Sequence, residues 1–147
     1  MEYVALRYGN VFGPRQDPFG EAGVVAIFAR HLVEGTPVTI FGDGEQTRDF
    51  VYVDDVVDAF VRAASRGGGL VCHVGTGRET SVNDLYATMA AAAGVDAAAQ
   101  RAPARVGELL RSSLDIERAA QQLGWRPWTQ LADGTAAVLE SFRQRSA

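Results

Sequence analysis

Short apolar runs alternate along the chain with longer segments in which apolar residues recur every three or four positions. The short runs are typical of strands, and the longer segments are typical of amphipathic helices. The predicted strands are Glu2–Gly9, Val38–Phe41, Arg48–Val53 and Leu70–Gly75. The predicted helices run from Glu21 to Glu34, from Asp54 to the break at Gly67–Gly69, from Ser81 to Ala93, from Leu114 to Leu123 and from Leu131 to Arg143. Strands that alternate with helices in this way predict an α/β layer structure.

The connecting segments carry their own signals. Gly9–Arg15 is expected to be a loop because glycines and a proline interrupt it. Gly94–Arg111 is alanine-rich and weakly periodic, so a loop with a short strand is expected there. Leu70–Gly75 is continuously apolar, which is typical of a strand buried in a parallel sheet. Ser81 followed by Asp84 resembles a capping box at the start of a helix.

Composition narrows the classes of protein to consider. The 147 residues suit one domain, and 47% apolar with 22% charged residues is an ordinary globular composition. The formal net charge of −4 argues against nucleic acid as a partner. The sequence has no apolar run long enough for a membrane span and no signal-peptide pattern at Met1, and its lone cysteine, Cys72, fits a reducing compartment. A cytoplasmic location is therefore expected.

Arg48 is the first candidate for chemistry. It lies in Gly42–Asp55, a segment with two glycines at the entrance of a predicted strand. A planar guanidinium at such an edge could bind a phosphate through two parallel hydrogen bonds. A surface ion pair with Asp49 or Asp55 would equally explain an arginine here.

Other candidates also have two explanations each. Arg105 could add a second cation to a pyrophosphate site, or it could simply be solvated in its loop. Asn10 could donate to a ligand oxygen or close a turn, and Phe41 could stack on a base or belong to the core. The Gly75–Gly77 segment imitates part of a dinucleotide-binding turn, but Thr80 replaces its third glycine, which favours a plain turn. His73 has no metal-binding neighbours at suitable spacing, which favours a core histidine.

Four linked segments carry a resemblance to a known family. They are "LRYGNVFGPRQDP", "VTIFGDGEQTRDFVYVDDVVDAF", "HVGTGRETSVNDL" and "LGWRP". Together they resemble the C-terminal half of the extended short-chain dehydrogenase/reductase superfamily, especially the NAD-dependent sugar-nucleotide epimerases and dehydratases of the UDP-glucose 4-epimerase type. The resemblance covers Tyr3 to Phe142. It implies a C-terminal substrate-binding domain together with the last strands and helices of a Rossmann-type parallel sheet, so residues 1–147 form a single partial domain.

The resemblance implies a role for each polar candidate. Arg48 and Arg105 match the two arginines that bind the diphosphate of a nucleotide sugar, with a UDP-sugar as the expected ligand. Asn10 matches an asparagine that contacts the sugar nucleotide. Glu108 stands where the family often has an aspartate that binds a ribose hydroxyl.

The remaining carried-over positions line the nucleotide or the cofactor. Val24 and Val25 match positions whose backbone meets the ligand. Thr39, Ile40 and Phe41 match the wall that holds the base, and Val82 matches a further base-pocket residue. Phe50 matches the aromatic residue two places after the diphosphate arginine. Tyr8 and Gly9 match positions at the nicotinamide end of NAD. Gly9 replaces an aromatic residue found in some members, which weakens that contact.

The resemblance also implies what this stretch of sequence lacks. The family's N-terminal half carries the glycine-rich NAD turn and a Tyr-x-x-x-Lys pair whose tyrosine is the general base. All 14 basic residues of this chain are arginines, so no lysine is available for that pair. For the full enzyme, the resemblance implies removal of hydride from the sugar by NAD, rotation of the 4-keto intermediate and return of hydride to the opposite face. This chain alone is expected to be inactive, to hold NAD weakly, and to need its missing half or to self-associate through an open sheet edge. A dehydratase or reductase fragment of the same superfamily and a non-catalytic binding module are the alternatives.

Overall fold

Helices and strands alternate through the residues that the computed structural model describes, 3–19 and 23–146. The strands are β1 (Ala5–Tyr8), β2 (Asn10–Phe12), β3 (Thr39–Phe41), β4 (Thr47–Arg48), β5 (Phe50–Tyr52), β6 (Val71–Val74), β7 (Thr80–Ser81) and β8 (Gln100–Ala102). The helices are α1 (Val24–Glu34), α2 (Val53–Ala63), α3 (Val82–Ala93), α4 (Glu117–Leu123) and α5 (Leu131–Ser146).

The strands associate mainly as parallel pairs. β1 pairs with β6, β2 with β5, and β3 with β8, all in parallel, whereas β4 and β7 are antiparallel. Parallel pairing requires crossover connections, which α1, α2 and α3 help to supply here. The predicted α/β class is confirmed, and the arrangement is consistent with part of a Rossmann-type domain.

The loop predicted for Gly9–Arg15 is wrong over Asn10–Phe12, which form β2. The chain changes partner at Gly9: Tyr8 is the last residue paired with β6, and Asn10 is the first paired with β5. The Asn10 N–H donates to Asp49 O at 2.6 Å, which starts the new pairing. Glycines and the following proline masked a strand whose partner is far away in the sequence.

The single strand predicted for Arg48–Val53 is also wrong, because it divides at Asp49. Arg48 pairs with β7, whereas Phe50 pairs with β2. Asp49 lies between the two pairings, and its side chain accepts hydrogen bonds from other segments. One residue therefore directs the chain from one sheet into another.

Helix boundaries follow the predicted signals with small shifts. Ser81 caps α3 by accepting the Asp84 N–H at 3.0 Å, which confirms the predicted cap. The reciprocal bond differs from that of a capping box, because the Ser81 hydroxyl donates to the Asp84 carboxylate at 2.7 Å. α4 begins at Glu117 rather than Leu114, and the Leu114 N–H donates to the Asp49 carboxylate. α5 continues to Ser146, beyond the predicted end. The predicted starts at Glu2 and Glu21 lie outside the described residues. Within the described residues, α1 begins at Val24.

Two apolar cores lie on either side of β5. Phe50 belongs to the core formed by α1, α3 and α5, and Val51 belongs to the core formed by β6, α2 and α4. This division follows from the alternation of side chains along a strand. In β6, Cys72 and Val74 are buried while Val71 is 37% exposed, so only one face of the β1–β6 pair is covered by the described residues.

Candidate functional site

A cleft of about 350 Å³ brings together residues that are distant in the sequence. Its volume falls within the usual range for small-molecule sites. The predicted ligand residues that line it are Asn10, Val24, Thr39, Ile40, Phe41, Arg48, Val82, Arg105 and Glu108. Gly23, Ile27, Phe28 and Gln46 also line it, and the sequence did not indicate them.

Two predicted ligand residues direct their side chains elsewhere. Val25 is 1% exposed and packs into the core, because residues of α1 one position apart cannot share a face. The side chain of Phe50 is likewise buried, with its ring at right angles to the Phe12 ring at 6.5 Å. A contact between ligand and the Val25 backbone, or with Phe50, stays a prediction.

Arg48 is held at the edge of the cleft by two carbonyl groups. Its Nη1 donates to Thr47 O at 2.7 Å and to Leu109 O at 2.6 Å. Its Nη2 lies 3.4 Å from Glu108 Oε1, a long ion pair. These bonds fix the guanidinium plane and leave its Nη2 edge incompletely bonded. Because the orientation is set before any ligand arrives, little side-chain entropy remains to be lost on binding.

The ion pairs first considered for Arg48 are not formed, because both aspartates bond to other groups. The buried Asp55 carboxylate accepts the backbone N–H groups of Trp128 and Thr129 and the Thr129 hydroxyl at 3.1–3.4 Å. The Asp49 carboxylate is also buried and bonds to a different set of donors. The arginine's only carboxylate partner among the described residues is Glu108.

The Asp49 carboxylate accepts hydrogen bonds from two segments that are distant in the sequence. Its Oδ1 accepts the Thr76 N–H at 2.7 Å and the Thr76 hydroxyl at 2.6 Å, and its Oδ2 accepts the N–H groups of Gly77 at 3.0 Å and Leu114 at 3.1 Å. Gly9 also belongs here, since a Cβ on it would lie 2.6 Å from Asp49 O. We call Gly9, Asp49, Thr76, Gly77 and Leu114 the Asp49 junction. It is a fully bonded, buried anion site whose anion is part of the chain.

The Asp49 junction answers the question raised by the Gly75–Gly77 turn. In a dinucleotide-binding turn, the backbone N–H groups would face a pyrophosphate. Here the N–H groups of Thr76 and Gly77 donate to the Asp49 carboxylate instead. The plain-turn interpretation is therefore the one the structure supports, and this turn is not available to NAD.

The two predicted cofactor residues lie outside the cleft. Tyr8 ends β1, is 41% exposed, and places its ring 5.8 Å from the Phe60 ring. Gly9 is constrained by Asp49 O. These two residues could contact one end of a bound dinucleotide, but they supply no donors for its phosphates. Weak NAD binding by this chain stays a prediction.

Arg105 reaches the cleft from the segment between β8 and α4. Its guanidinium carbon lies 4.1 Å from the centre of the Phe41 ring, a cation–π contact. The half-buried Phe41 lines the cleft at the end of β3, so it is neither wholly core nor free. The structure thus brings both predicted diphosphate arginines to one cleft.

The segment that carries Arg105 is fastened to β4. The Thr47 N–H donates to Leu110 O at 2.8 Å, and the Thr47 hydroxyl donates to Glu79 at 2.9 Å. Arg111 forms two further bonds, of 2.9 and 3.0 Å, with the same Glu79 carboxylate. These contacts hold an otherwise exposed segment against the cleft.

Asn10 and Gln46 are the two side-chain amides that line the cleft. Asn10 starts β2 rather than closing a turn, so the turn interpretation is wrong. Gln46 is 8% exposed, and its Nε2 donates to Phe41 O at 3.0 Å. Its backbone carbonyl accepts the Val82 N–H at 3.1 Å. Gln46 therefore ties two walls of the cleft together, a role that its position after a glycine turn did not reveal.

The described residues offer no tyrosine poised as a base in the cleft. Burial, followed by the negative charges of Asp54 and Asp55, raises the pKa of the Tyr52 phenol. A tyrosine base needs the opposite shift.

The described residues also contain no cluster of three or more potential metal ligands, and the His73 ring lies 3.2 Å from Asp115 O. None of the described helices combines the length and hydropathy that a membrane crossing requires.

Comparison with known proteins identifies the family to which the chain is similar. The profile of the NAD dependent epimerase/dehydratase family matches residues 1–75. UDP-glucose 4-epimerase of Mycolicibacterium smegmatis is 54% identical over 138 residues, which are 93% of this chain and 44% of that protein. The chain therefore spans less than half the length of this relative.

Solved structures give the same result. UDP-glucose 4-epimerase of Thermotoga maritima, solved with UDP-glucose, superposes with a TM-score of 0.97 at 46% identity, covering 100% of this chain and 48% of that one. The Thermus thermophilus enzyme, solved with NAD, gives a TM-score of 0.86 at 41% identity, covering 97% and 47%. NAD is thus the cofactor associated with the family. On its profile match, its sequence and its fold, this chain belongs to the NAD dependent epimerase/dehydratase family.

Proposed function

We propose that this chain is the nucleotide-sugar-binding part of an NAD-dependent sugar-nucleotide 4-epimerase of the UDP-glucose/UDP-galactose type. The observation that carries the proposal is the convergence of Arg48 and Arg105 on one cleft of about 350 Å³. Similar proteins that have been solved with UDP-glucose or NAD support the choice of ligand class.

Each part of a UDP-sugar has a matching wall in this cleft. The two arginines supply positive charge for the diphosphate, and Glu108 can accept a hydrogen bond from a ribose hydroxyl. The end of β3, Thr39–Phe41, together with Val82, offers a mostly apolar wall for the base. Asn10 supplies an amide for the sugar end. These residues bind and orient the ligand, and none of them moves a proton or hydride.

Catalysis would need groups that the chain lacks. When bound, NAD supplies the hydride chemistry of the family, and we infer that its phosphates are held by the missing half rather than by the residues described here. We infer that the isolated chain binds nucleotide sugar without turnover. Incubating purified chain with NAD and UDP-galactose tests this inference, and measurable epimerisation would overturn it.

The catalytic groups are proposed to come from a segment that covers the open side of β1. Among the described residues β1 pairs with β6 alone. Beside its end, Val57, Phe60 and Val61 of α2 are 53%, 53% and 67% exposed, an apolar face that invites burial. Sedimentation at increasing concentration tests whether the face is left free; growing oligomers would indicate that a second copy occupies it instead.

Isothermal titration with UDP tests the binding proposal directly. One charge-assisted hydrogen bond contributes about 1.5–3 kcal/mol, so Arg48→Ala and Arg105→Ala should each weaken UDP binding by roughly tenfold to a hundredfold. Arg143→Ala, on the exposed side of α5, is the matched control and should leave the affinity unchanged. UDP binding that is insensitive to both cleft arginines would refute the proposal. Titration with dTDP separates the uridine nucleotides from the thymidine nucleotides.

A further inference from the structure

We propose that Glu108 is a specificity residue that makes the Arg48 site select a nucleoside diphosphate over a bare diphosphate. This inference rests on the proposed nucleotide-sugar binding. It concerns how the site rejects small anions that share the diphosphate group of its ligand.

The geometry around Arg48 carries the inference. Two backbone carbonyls engage Nη1 at 2.7 and 2.6 Å, whereas Nη2 meets Glu108 Oε1 only at 3.4 Å. Charge-assisted hydrogen bonds between nitrogen and oxygen are usually about 2.7–2.9 Å long. The Nη2 edge is therefore the part of the guanidinium left for a ligand, and a carboxylate stands beside it.

A turn fixes Glu108 in this position. The Glu108 N–H donates to Arg105 O at 3.4 Å, and Gly107 between them has a φ of 78°, a left-handed conformation that favours glycine. The turn carries Arg105 and Glu108 into the same cleft. A cation and an anion thus reach the ligand position together, from one short segment.

The carboxylate acts differently on the two kinds of ligand. A bare diphosphate that bonds to Nη2 meets a second anion within a few ångströms in a partly shielded cleft, where the side chain of Glu108 is 25% exposed. Like charges this close repel appreciably when water is partly excluded. A nucleoside diphosphate suffers the same repulsion but brings ribose hydroxyls, which can donate to the carboxylate and offset it.

The length of the side chain matters to this filter. An aspartate at position 108 would place its carboxylate one methylene farther from Arg48. Glu108→Asp should therefore keep the charge in the cleft but relax its contact with Nη2, giving a selectivity between those of the wild type and Glu108→Gln.

Isothermal titration with two probes, UDP and inorganic pyrophosphate, tests the inference at one fixed ionic strength. Removal of the charge in Glu108→Gln should tighten pyrophosphate binding by about fivefold to tenfold and weaken UDP binding by about twofold to fivefold. The preference for UDP over pyrophosphate should therefore fall by at least about tenfold. Glu140→Gln, an exposed acid of α5 that removes the same net charge, should leave the preference unchanged.

The outcomes separate this inference from the function on which it rests. If UDP binds and Arg48→Ala weakens it, but Glu108→Gln leaves the preference unchanged, the specificity role is wrong and the binding proposal stands. If the wild-type chain binds neither probe, both are wrong. Circular dichroism of each variant checks folding, and Glu108→Asp supplies a second measurement if Glu108→Gln does not fold.

Discussion

Arg48 in the cleft and Asp49 in the Asp49 junction are neighbours in the chain, but their charged groups differ in how completely the fold hydrogen-bonds them. Asp49 is 1% exposed, and its carboxylate accepts four hydrogen bonds from the chain itself. The Arg48 side chain is 19% exposed, and one edge of its guanidinium has only a long contact with Glu108. The first charge is fully satisfied by the fold, and the second is not.

This difference distinguishes a charge that stabilises the fold from a charge that binds a ligand. A buried ion whose bonds are complete can accept nothing further, and its removal leaves donors unpaired. An ion that is oriented by two bonds and open at a third position can bind a ligand with little rearrangement. Substitutions at the junction should therefore change stability, and substitutions in the cleft should change affinity.

The largest effect is expected from Asp49→Ala. The change leaves the N–H groups of Thr76, Gly77 and Leu114 without their acceptor. Each buried donor left unpaired costs about 1–3 kcal/mol, so the total loss should be at least about 3 kcal/mol. Urea unfolding followed by circular dichroism measures the loss. Asp43→Ala is the control, because the exposed Asp43 carboxylate accepts a single hydrogen bond within the described part of the chain, from the Glu45 N–H. Equal losses in the two variants would show that the junction does not hold the segments together.

A smaller loss is expected from Gly9→Ala. The new Cβ would lie 2.6 Å from Asp49 O, a backbone atom that cannot move aside freely. Overpacking of this kind costs about 1–3 kcal/mol, which the same urea unfolding would detect. Gly23→Ala is the matched control, since its Cβ would meet only the end of the flexible Gln16 side chain, at 2.8 Å. If both variants unfold at the same urea concentration, the close approach at the junction is not a constraint.

On the cleft side, Gln46→Ala should weaken UDP binding by about fivefold and lower stability by about 1 kcal/mol, because one buried hydrogen bond to Phe41 O is lost. Inorganic pyrophosphate should bind as before, since the arginines are unchanged. Gln122→Ala, an exposed residue of α4, controls for the loss of an amide. An equal weakening for both ligands would mean that Gln46 supports the whole cleft rather than its base wall.

Local signals in the sequence predicted much of the fold. The Ser81 cap, the stop of α1 at Gly35 and the end of α4 at Gly124 depend on contacts within a few residues, so each was readable. The β2 strand was not, because its pairing with β5 depends on a partner about forty residues away.

The sequence likewise indicated some residues of the candidate site and missed others. Arg48 and Arg105 were indicated by residue type and by the family resemblance, and the structure brings both to the cleft. Gln46 was missed because its bond to Phe41 O depends on how the glycine turn folds back. The role of Asp49 was missed because a carboxylate beside an arginine suggests an ion pair, and only the fold brings Thr76, Gly77 and Leu114 to it.

The smallest effect concerns Glu79, which fastens the segment carrying Arg105 to β4. Its bonds to Arg111 first and to Thr47 second lower the pKa of its carboxyl below the ordinary value of 4.5. The ionised form is therefore favoured in the folded state, so the stabilisation is present above pH 4.5 and is lost as the pH falls through the lower folded-state pKa. Glu79→Gln should lower the urea midpoint slightly at pH 7, and this difference from the wild type should shrink towards pH 3. Glu140→Gln, another exposed acid with an arginine partner, is the control. A difference that stays constant between pH 7 and pH 3 would show that Glu79 acts through packing rather than through its charge.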